Sequence, residues 1–298
     1  MRPFLDRPRL LLTLTSLFWA GNVIVGRAIA GTVPPVTLAC LRWVLATLIF
    51  LPFAWPSLRR DAGEIVKHRG ILLFLGLIGP ACYNSLFYFG LVSTGALNGL
   101  VLNAAGPMFI ALVAWGVFGD RLSAPQSAGM AAGFAGVLLI VAKGDPLTLA
   151  SLRFNPGDLV LLTAVLAWSA YTAFLRKRPR ISWQSYNLIT YAIAAVANVP
   201  IAAGELALGH TVTGGWAAGA AIFYVAIFPS LLAYIFYNRG VELLGPAAAG
   251  LYMFLIPPFG ALLAVGLLGE KLHWFHAVGF ALIIAGVLIG SRQRVAIK

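Results

Sequence analysis

The chain carries one stretch of sequence twice, as GLVLNAAGPMFIALVAWGVFGDRLSAPQSAGMAAGFAGVLLIV at residues 99–141 and as AGLYMFLIPPFGALLAVGLLGEKLHWFHAVGFALIIAGVLIG at residues 249–290. The two copies align without a gap at an offset of 150 residues. The aligned pairs include Pro107 and Pro257, Gly119 and Gly269, Asp120 and Glu270, Arg121 and Lys271, and Gly129 and Gly279. An internal repeat of this length in an apolar chain is typical of a membrane transporter built from two copies of one half.

The composition also indicates a membrane protein. Apolar residues make up 60% of the chain and charged residues 10%, and the mean hydropathy is +0.91, whereas about a quarter of the residues in a soluble domain are charged. The formal net charge is +12, but the basic residues form short clusters between apolar runs, which is not the pattern of a nucleic-acid-binding face. We therefore expect the partner of this chain to be a lipid bilayer and not a nucleic acid.

The apolar runs are long enough to cross a bilayer, which takes about 20 helical residues. They predict ten spans, at about residues 10–30, 35–56, 70–92, 96–118, 125–143, 157–176, 185–204, 215–241, 246–268 and 274–291. The basic start of the chain followed by the first run could also be a cleaved signal peptide. However, Trp19 aligns with Trp168 and Arg27 with Arg176 at an offset of 149 residues. The first run therefore belongs to the repeat.

Five spans per half is an odd number, so the second half must enter the membrane in the opposite sense. The sequence therefore predicts an all-α integral membrane protein with ten transmembrane helices, arranged as two inverted five-helix repeats around a central cavity. Basic residues in short loops favour the cytoplasm. With both termini on one side, 16 of the 21 Lys and Arg residues lie on that side. We expect both termini to be cytoplasmic.

Prolines interrupt equivalent spans in the two halves. Pro80 in span 3 corresponds to Pro229 in span 8, and Pro107 in span 4 corresponds to Pro257 in span 9. A proline within a helix removes a backbone hydrogen bond, and a membrane tolerates the freed group only where it faces protein or a water-filled cavity. Prolines are also simply more frequent in membrane helices than in soluble ones. Their symmetric placement favours helix breaks around a binding site.

Aromatic and amide side chains cluster near these breaks. Trp19 and Trp168 occupy equivalent positions in spans 1 and 6, about ten residues from the span ends, and we expect them to face each other. The predicted substrate-binding residues are Trp19, Asn22, Tyr83, Asn84, Phe87, Asn103, Trp168, Tyr171, Tyr234, Tyr237 and Tyr252. A membrane Asn can also serve only to join two helices. Tryptophans also collect at the headgroup belt, which is our interpretation of Trp43, Trp55, Trp183, Trp216 and Trp274.

Spans 5 and 10 contain small residues in place of polar ones. Gly129, Gly133 and Gly136 in span 5, and Gly279, Gly286 and Gly290 in span 10, form faces that let helices approach closely. We expect these spans to be scaffold, with a contact between subunits as the alternative. We expect a monomer.

No acidic residue lies in the middle of a span. A carboxylate at that depth is the usual basis of proton coupling and of binding cationic drugs, so its absence argues against both and favours facilitated diffusion. We also expect no basic residue buried at mid-depth, which disfavours sugar phosphates and nucleotide sugars. Such a cavity suits an amino acid, because helix N-termini bind carboxylates and aromatic faces bind ammonium groups.

The sequence contains no sign of catalysis or of a cofactor. Cys40 and Cys82 lie within apolar runs and have neither a metal-ligand spacing nor the pattern of a disulfide. The four histidines lie in loops or at span ends, with no paired carboxylate or nucleophile at mid-depth. A membrane enzyme is therefore disfavoured.

Two kinds of motif resemble a known family. The opening FWAGNVIVGRAIAGTVPPVTLACLRW at residues 18–43 and the paired endings GPMFIALVAWGVFGDRL and IPPFGALLAVGLLGEKL are similar to segments of the drug/metabolite transporter superfamily. In particular, the chain resembles its EamA-type ten-helix exporters. One departure is Ala20, where the family more often has Gly or Ser. The resemblance covers about residues 12–290.

The resemblance implies that residues 1–144 form the first EamA-type repeat and residues 156–292 the second, inverted one. The aromatic lining is similar to that of the bacterial aromatic amino-acid exporters known as YddG. It implies an exporter of the bacterial inner membrane that works by alternating access on Phe, Tyr and Trp, and on neutral amino acids such as Thr or Met. An exporter of aromatic amines or cationic drugs on the same fold is the alternative.

Overall fold

The computed structural model describes residues 2–94 and 96–291 of the 298-residue chain. Ten long helical segments follow one another along the chain, and we number them α1 to α10. Their bounds are α1 Pro8–Ala28; α2 Pro35–Arg60; α3 Arg69–Gly76, Leu77–Ala81 and Cys82–Ser93; α4 Ala96–Ala104 and Gly106–Phe118; α5 Ala124–Val141; α6 Pro156–Phe174 and Leu175–Lys177; α7 Trp183–Ala207; α8 Gly215–Val225, Ala226–Leu232 and Ala233–Leu244; α9 Pro246–Leu251, Tyr252–Leu255 and Ile256–Leu268; and α10 Trp274–Gly290. Short helices at Arg2–Leu5, Ala62–Lys67 and Leu147–Ala150 lie outside them.

These helical segments lie along the predicted apolar runs, and the predicted all-α, multi-span membrane fold is confirmed. Within the described ranges, nine segments are long and apolar enough to cross a membrane, and α10 is a tenth apolar helix of 17 residues. The helix ends follow local chemistry. Ser123 and Asn155 form capping boxes at the starts of α5 and α6. Gly119 and Gly269 end α4 and α9 with φ angles of 74° and 70°, which favour glycine.

Four helices are interrupted near their prolines. Pro80 lies inside the π-helical turn Leu77–Ala81 of α3, and Pro229 lies inside the π-helical turn Ala226–Leu232 of α8. Pro107 and Pro257 each lie in the first turn of a new helical piece, in α4 and α9. The helical pattern is thus disturbed at equivalent places in both halves, as expected where a proline removes a backbone donor.

The two halves exchange helices. In the first half α3 and α4 pack around α6 of the second half, and we call this group bundle A. In the second half α8 and α9 pack around α1 of the first half, and we call this group bundle B. The pairs α2 with α7 and α5 with α10 pack beside the bundles.

The small-residue faces of α5 and α10 lie against each other. A Cβ added to Gly129 would lie 2.4 Å from the backbone oxygen of Gly286, and one added to Gly136 would lie 2.7 Å from that of Gly279. The backbones are therefore in direct contact, as small residues allow in membrane helices. The glycine faces of α5 and α10 therefore pack against each other within one chain.

Both described ends of the chain lie on one face of the molecule, which we call the terminal face. Arg9 Nη2 donates to the Ser291 carbonyl oxygen at 3.4 Å, and Arg239 Nε donates to the Leu5 carbonyl oxygen at 3.2 Å. Two ion pairs related by the repeat lie on opposite faces. Arg176 pairs with Asp120 on the terminal face, and Arg27 pairs with Glu270 at 3.6 Å on the opposite face. The residues of the two pairs are related by offsets of 149 and 150 residues along the chain.

Candidate functional site

Six aromatic rings meet between the two bundles, and we call them the aromatic centre. They belong to Trp19, Tyr83, Trp168, Tyr171, Tyr234 and Tyr237. Trp168 of α6 is the hub, since its ring centroid lies 5.3 Å from that of Trp19, 5.2 Å from that of Tyr83 and 5.1 Å from that of Tyr237. The contact between Trp19 and Trp168 is edge-to-face, a favourable geometry for two rings. The structure thus brings together six of the eleven predicted site residues.

The helix break in α8 is tied to the aromatic centre. A π-helical turn leaves backbone carbonyl groups without their usual partners, and in a membrane these must be satisfied within the protein. Trp19 Nε1 donates to the Pro229 carbonyl oxygen at 3.2 Å. Tyr191 Oη donates to that of Leu231 at 2.9 Å, and Ser230 Oγ to that of Val225 at 2.7 Å. These bonds hold the break in place and orient Trp19.

The half of the site that lies nearer the terminal face, which we call the terminal half, is closed by hydrogen bonds and an ion pair between the bundles. Tyr171 Oη of α6 donates to Asn238 Oδ1 of α8 at 2.7 Å. Thr172 Oγ1 and Tyr237 Oη are hydrogen-bonded at 3.0 Å. At the rim, an ion pair of 2.7 Å joins Arg178, which follows α6, to Glu242 of α8. The four hydrogen-bonded side chains are buried, so these contacts close the aromatic centre toward the terminal face.

The opposite half of the site is less tightly packed. Tyr83 Oη donates to Asn103 Oδ1 at 3.1 Å, and the Tyr83 ring stacks on Phe87 at 5.7 Å. The side chains there are only partly buried: Trp19, Asn22, Tyr83, Asn84, Phe87 and Asn103. The aromatic centre is therefore closed by hydrogen bonds on the terminal side, whereas the side chains on its opposite side are partly exposed.

Two sequence-based expectations are wrong for neighbouring residues of α2. The sequence predicts no basic residue buried at mid-depth, but Arg42 is buried, with 2% of its surface exposed, and its Nε donates to Ser230 Oγ at 2.7 Å. Trp43 was assigned to the headgroup belt, but it is fully buried and its ring lies 4.9 Å from that of Tyr234. Both side chains point into the protein because α2 packs against α7 and the π-helical turn of α8. A basic group thus lies beside the site.

The remaining predicted residues lie at the edge of this arrangement. Tyr252 is buried in the 3-10 turn of α9, where its carbonyl oxygen accepts a bond of 2.6 Å from Ser16 Oγ. A groove of about 500 Å³ lies elsewhere, along the terminal end of α4. It is lined by Met108, Ala111, Leu112, Trp115, Asp120, Arg121 and Leu122, and includes none of the predicted substrate-binding residues.

Sequence reasoning missed the polar residues that α7 contributes. Asn187 Oδ1 accepts bonds from Asn238 Nδ2 at 2.9 Å and from Tyr191 Oη at 3.2 Å. Asn198 accepts a bond from Ser85 of α3. The spacing of Asn187, Tyr191 and Asn198 by four and seven residues places them near one helix face. That periodicity is the signal that could have identified them.

The acidic side chains lie outside the aromatic centre. Asp158 is buried, but it is the third residue of α6, where Thr94 Oγ1 and Asn98 Nδ2 donate to it at 2.5 and 2.8 Å. Glu205 accepts bonds from the first turn of α2. Within residues 2–94 and 96–291, no group of three His, Cys, Asp or Glu side chains is arranged to hold a metal ion.

Comparison with known proteins identifies relatives over nearly the whole chain. The model of the EamA-like transporter family matches residues 8–142 and again residues 155–292. An uncharacterized transporter of Archaeoglobus fulgidus is 29% identical over 97% of this chain and 99% of its own length. The uncharacterized transporter YyaM of Bacillus subtilis is 25% identical over 93% of this chain and 90% of its own length.

One relative has a more specific description. A probable terminal-alkyne amino-acid exporter of Streptantibioticus cattleyicolor is 26% identical over 95% of this chain and 92% of its own length. A solved crystal structure superimposes with a TM-score of 0.75, at 18% identity, over 95% of this chain and 96% of the other. That likeness concerns the fold.

Proposed function

Because this chain belongs to the EamA-like transporter family, within the drug/metabolite transporter superfamily, we propose that it exports amino acids with aromatic or other neutral side chains. The observation that carries the proposal is the aromatic centre between bundles A and B, where Trp168 contacts Trp19, Tyr83 and Tyr237. Aromatic rings bind an aromatic or apolar side chain through dispersion and edge-to-face contacts. They also attract an ammonium group.

The closed terminal half supports alternating access. The bonds from Tyr171 to Asn238 and between Thr172 and Tyr237 join bundle A to bundle B on the terminal side of the centre. When these bonds break, the bundles can separate at the terminal face while they approach each other at the opposite face. Rocking of α1, α3, α4, α6, α8 and α9 around a central site would then carry a substrate across the membrane.

The charge distribution supports a location in the bacterial inner membrane with cytoplasmic termini. Of the 21 Lys and Arg residues, 16 belong to the side that carries the termini, and basic loops favour the cytoplasm. In this orientation the described conformation is closed to the cytoplasm and looser toward the outside. The glycine faces of α5 and α10 are covered within the chain, which supports a monomer.

The position of the acidic residues supports facilitated diffusion down the amino-acid gradient. Proton coupling in membrane transporters commonly uses a carboxylate within the membrane. Asp158, the buried acidic side chain of this chain, lies at the start of α6 and is held by Thr94 and Asn98. The Streptantibioticus relative is described as a probable terminal-alkyne amino-acid exporter, which is consistent with an amino acid as the substrate.

Aromatic amines or cationic drugs are the second candidate substrates. The observation in favour of them is the same group of rings, which could bind a cation without any carboxylate. The buried Arg42, whose Nε bonds to Ser230 beside the Pro229 break, disfavours them, because a nearby positive charge repels a cation.

Transport in proteoliposomes tests the proposal. The purified protein is reconstituted, radiolabelled Phe is loaded inside, and efflux is followed with and without a pH gradient. We expect efflux that the pH gradient leaves unchanged and that unlabelled Tyr and Trp reduce by competition. Efflux that is driven by the pH gradient would contradict facilitated diffusion. Competition by tetraphenylphosphonium but not by amino acids would instead support the second candidate.

A further inference from the structure

Asn22 and Asn84 differ from the other asparagines of this chain. The side chains of the other six, Asn98, Asn103, Asn155, Asn187, Asn198 and Asn238, each take part in a hydrogen bond. In contrast, Asn22 Oδ1 and Asn84 Nδ2 are buried and have no hydrogen-bond partner within the described part of the chain. A buried polar atom without a partner costs free energy, so each such atom in a native protein calls for an explanation.

The two atoms have opposite hydrogen-bonding character. Asn22 Oδ1 is a carbonyl oxygen and can only accept, whereas Asn84 Nδ2 is an amide nitrogen and can only donate. An ammonium group supplies donors and a carboxylate supplies acceptors. The pair is therefore complementary to the two charged groups of a zwitterion.

The two residues lie at the same depth on different bundles. Asn22 is 14 residues past Pro8 at the start of α1, and Asn84 is 15 residues past Arg69 at the start of α3. Both helices start at the terminal face, so at about 1.5 Å per residue the two residues lie roughly 21 to 23 Å along their helices from that face. Asn22 belongs to bundle B and Asn84 to bundle A.

Both residues are neighbours of the aromatic centre. Trp19 and Asn22 are three residues apart on α1 and so lie near one helix face. Asn84 and Phe87 have the same spacing on α3, and Phe87 stacks on Tyr83 of the centre. Since Trp19 and Tyr83 both contact Trp168, Asn22 and Asn84 each lie on a helix beside a residue of the same group of rings.

We infer that Asn22 binds the α-ammonium group of the substrate through Oδ1 and that Asn84 binds its carboxylate through Nδ2, with the side chain of the substrate on the aromatic centre. This inference rests on the proposed function and narrows it, since it assigns the substrate class to zwitterionic α-amino acids over amines and acids. A zwitterion held in this way bridges bundles A and B. Binding of the substrate would thereby depend on the position of bundle A relative to bundle B.

Binding of three ligands that share a phenyl ring tests the inference. They are Phe, phenethylamine, which lacks the carboxylate, and 3-phenylpropionate, which lacks the ammonium group. Isothermal titration to the purified full chain gives the three affinities. The wild type should prefer Phe over both analogues. Asn84→Leu should reduce the preference for Phe over phenethylamine by about tenfold, and Asn22→Leu the preference for Phe over 3-phenylpropionate by about tenfold, as expected for a bond to a charged group.

The matched control is Asn98→Leu, because Asn98 Nδ2 already bonds to Arg153 and Asp158; it should leave both preferences unchanged. If a leucine variant does not fold, Asn84→Asp serves in its place, since its negative charge should abolish binding of Phe and 3-phenylpropionate and preserve that of phenethylamine. Equal losses for all three ligands in both leucine variants would overturn the inference. A wild-type protein that transports Phe but shows no preference for it over the analogues would also overturn it, and would leave the proposed function intact. The absence of Phe transport by the wild type would count against the proposed function itself.

Discussion

Tyr171 of α6 donates a hydrogen bond of 2.7 Å to Asn238 Oδ1 of α8, and this bond joins bundle A to bundle B on the terminal side of the aromatic centre. Asn238 Nδ2 in turn donates to Asn187 Oδ1 of α7 at 2.9 Å. All three side chains are buried. A buried network whose members are bonded to each other is rigid, and it can exist only while the terminal half is closed.

Tyr171→Phe should therefore favour opening at the terminal face. The change keeps the ring and removes one hydrogen bond, which is worth about 1 kcal/mol, so the open form should become about fivefold more populated. Spin labels on cysteines introduced at Leu10 of α1 and Lys177 of α6 would report the distance between the bundles, in a background without Cys40 and Cys82. The control is Tyr224→Phe on the opposite half of α8. An unchanged distance distribution in Tyr171→Phe would contradict the role of this bond as a gate.

Trp168→Phe should slow the efflux of Phe from proteoliposomes by at least about tenfold, since the smaller ring loses contacts with Trp19, Tyr83 and Tyr237. Phenylalanine keeps the site apolar, whereas Trp168→Ala would also cost about 3 to 5 kcal/mol of stability through the cavity left behind. Trp216→Phe is the matched control, because Trp216 is 86% exposed near the start of α8. Equal rates in the two variants would remove Trp168 from the site.

Gly286→Ala should destabilise the protein by about 1 to 3 kcal/mol, the usual cost of overpacking. The added Cβ would lie 2.6 Å from the Gly129 backbone oxygen, so α5 and α10 would have to move apart. Gly116→Ala is the control, as its Cβ would meet no atom within 4 Å, and a helical Ala in place of Gly is neutral to slightly stabilising. Thermal unfolding in detergent gives the melting temperatures of the two variants. Similar melting temperatures for the two variants would show that the α5–α10 contact contributes little.

Asp61 should make the stability of the folded protein depend on pH under acidic conditions. It lies between α2 and the helix Ala62–Lys67, and Ser182 donates to its Oδ2 from the backbone nitrogen at 2.9 Å and from Oγ at 2.6 Å. Partial burial raises its pKa, but the bonds from Ser182 outweigh this, and the pKa is lowered overall. The pKa of Asp61 is about 3.9 in the unfolded chain and lower in the folded protein, so the ionised carboxylate stabilises the fold at pH values above about 3.9. This stabilisation is lost as the pH falls through the pKa of the folded state.

The melting temperature of the wild type should accordingly fall below about pH 4. Asp61→Asn should melt lower than the wild type at pH 7 and should show a smaller fall on acidification. Glu64→Gln is the control, because Glu64 makes only half-exposed pairs with Lys67 and His68, and exposed pairs contribute less than about 1 kcal/mol. A variant Asp61→Asn with the pH profile of the wild type would exclude this linkage.

Some residues of the site could be predicted from the sequence and others could not. Trp19 and Trp168 could be paired in advance because their positions are related by the repeat. Trp43 and Arg42 could not be assigned correctly, because a tryptophan or arginine eight or nine residues into a span can face either the headgroups or the protein. Asn238 follows Pro229 by nine residues in the same helix, but its partner Asn187 lies on another helix, 51 residues away in sequence, so sequence spacing could not pair them.

The sequence by itself determined the membrane class, the positions of the long apolar helices and the places where prolines interrupt them, because each depends on local hydropathy or on the backbone chemistry of single residues. Only the tertiary structure decided that α1 joins α8 and α9, that α6 joins α3 and α4, and that the terminal half is closed. The physical reason is that lipid and protein interior are both apolar. A membrane helix therefore has no polar stripe to mark its outer face, and its neighbours are selected by the fit of side chains more than 100 residues apart.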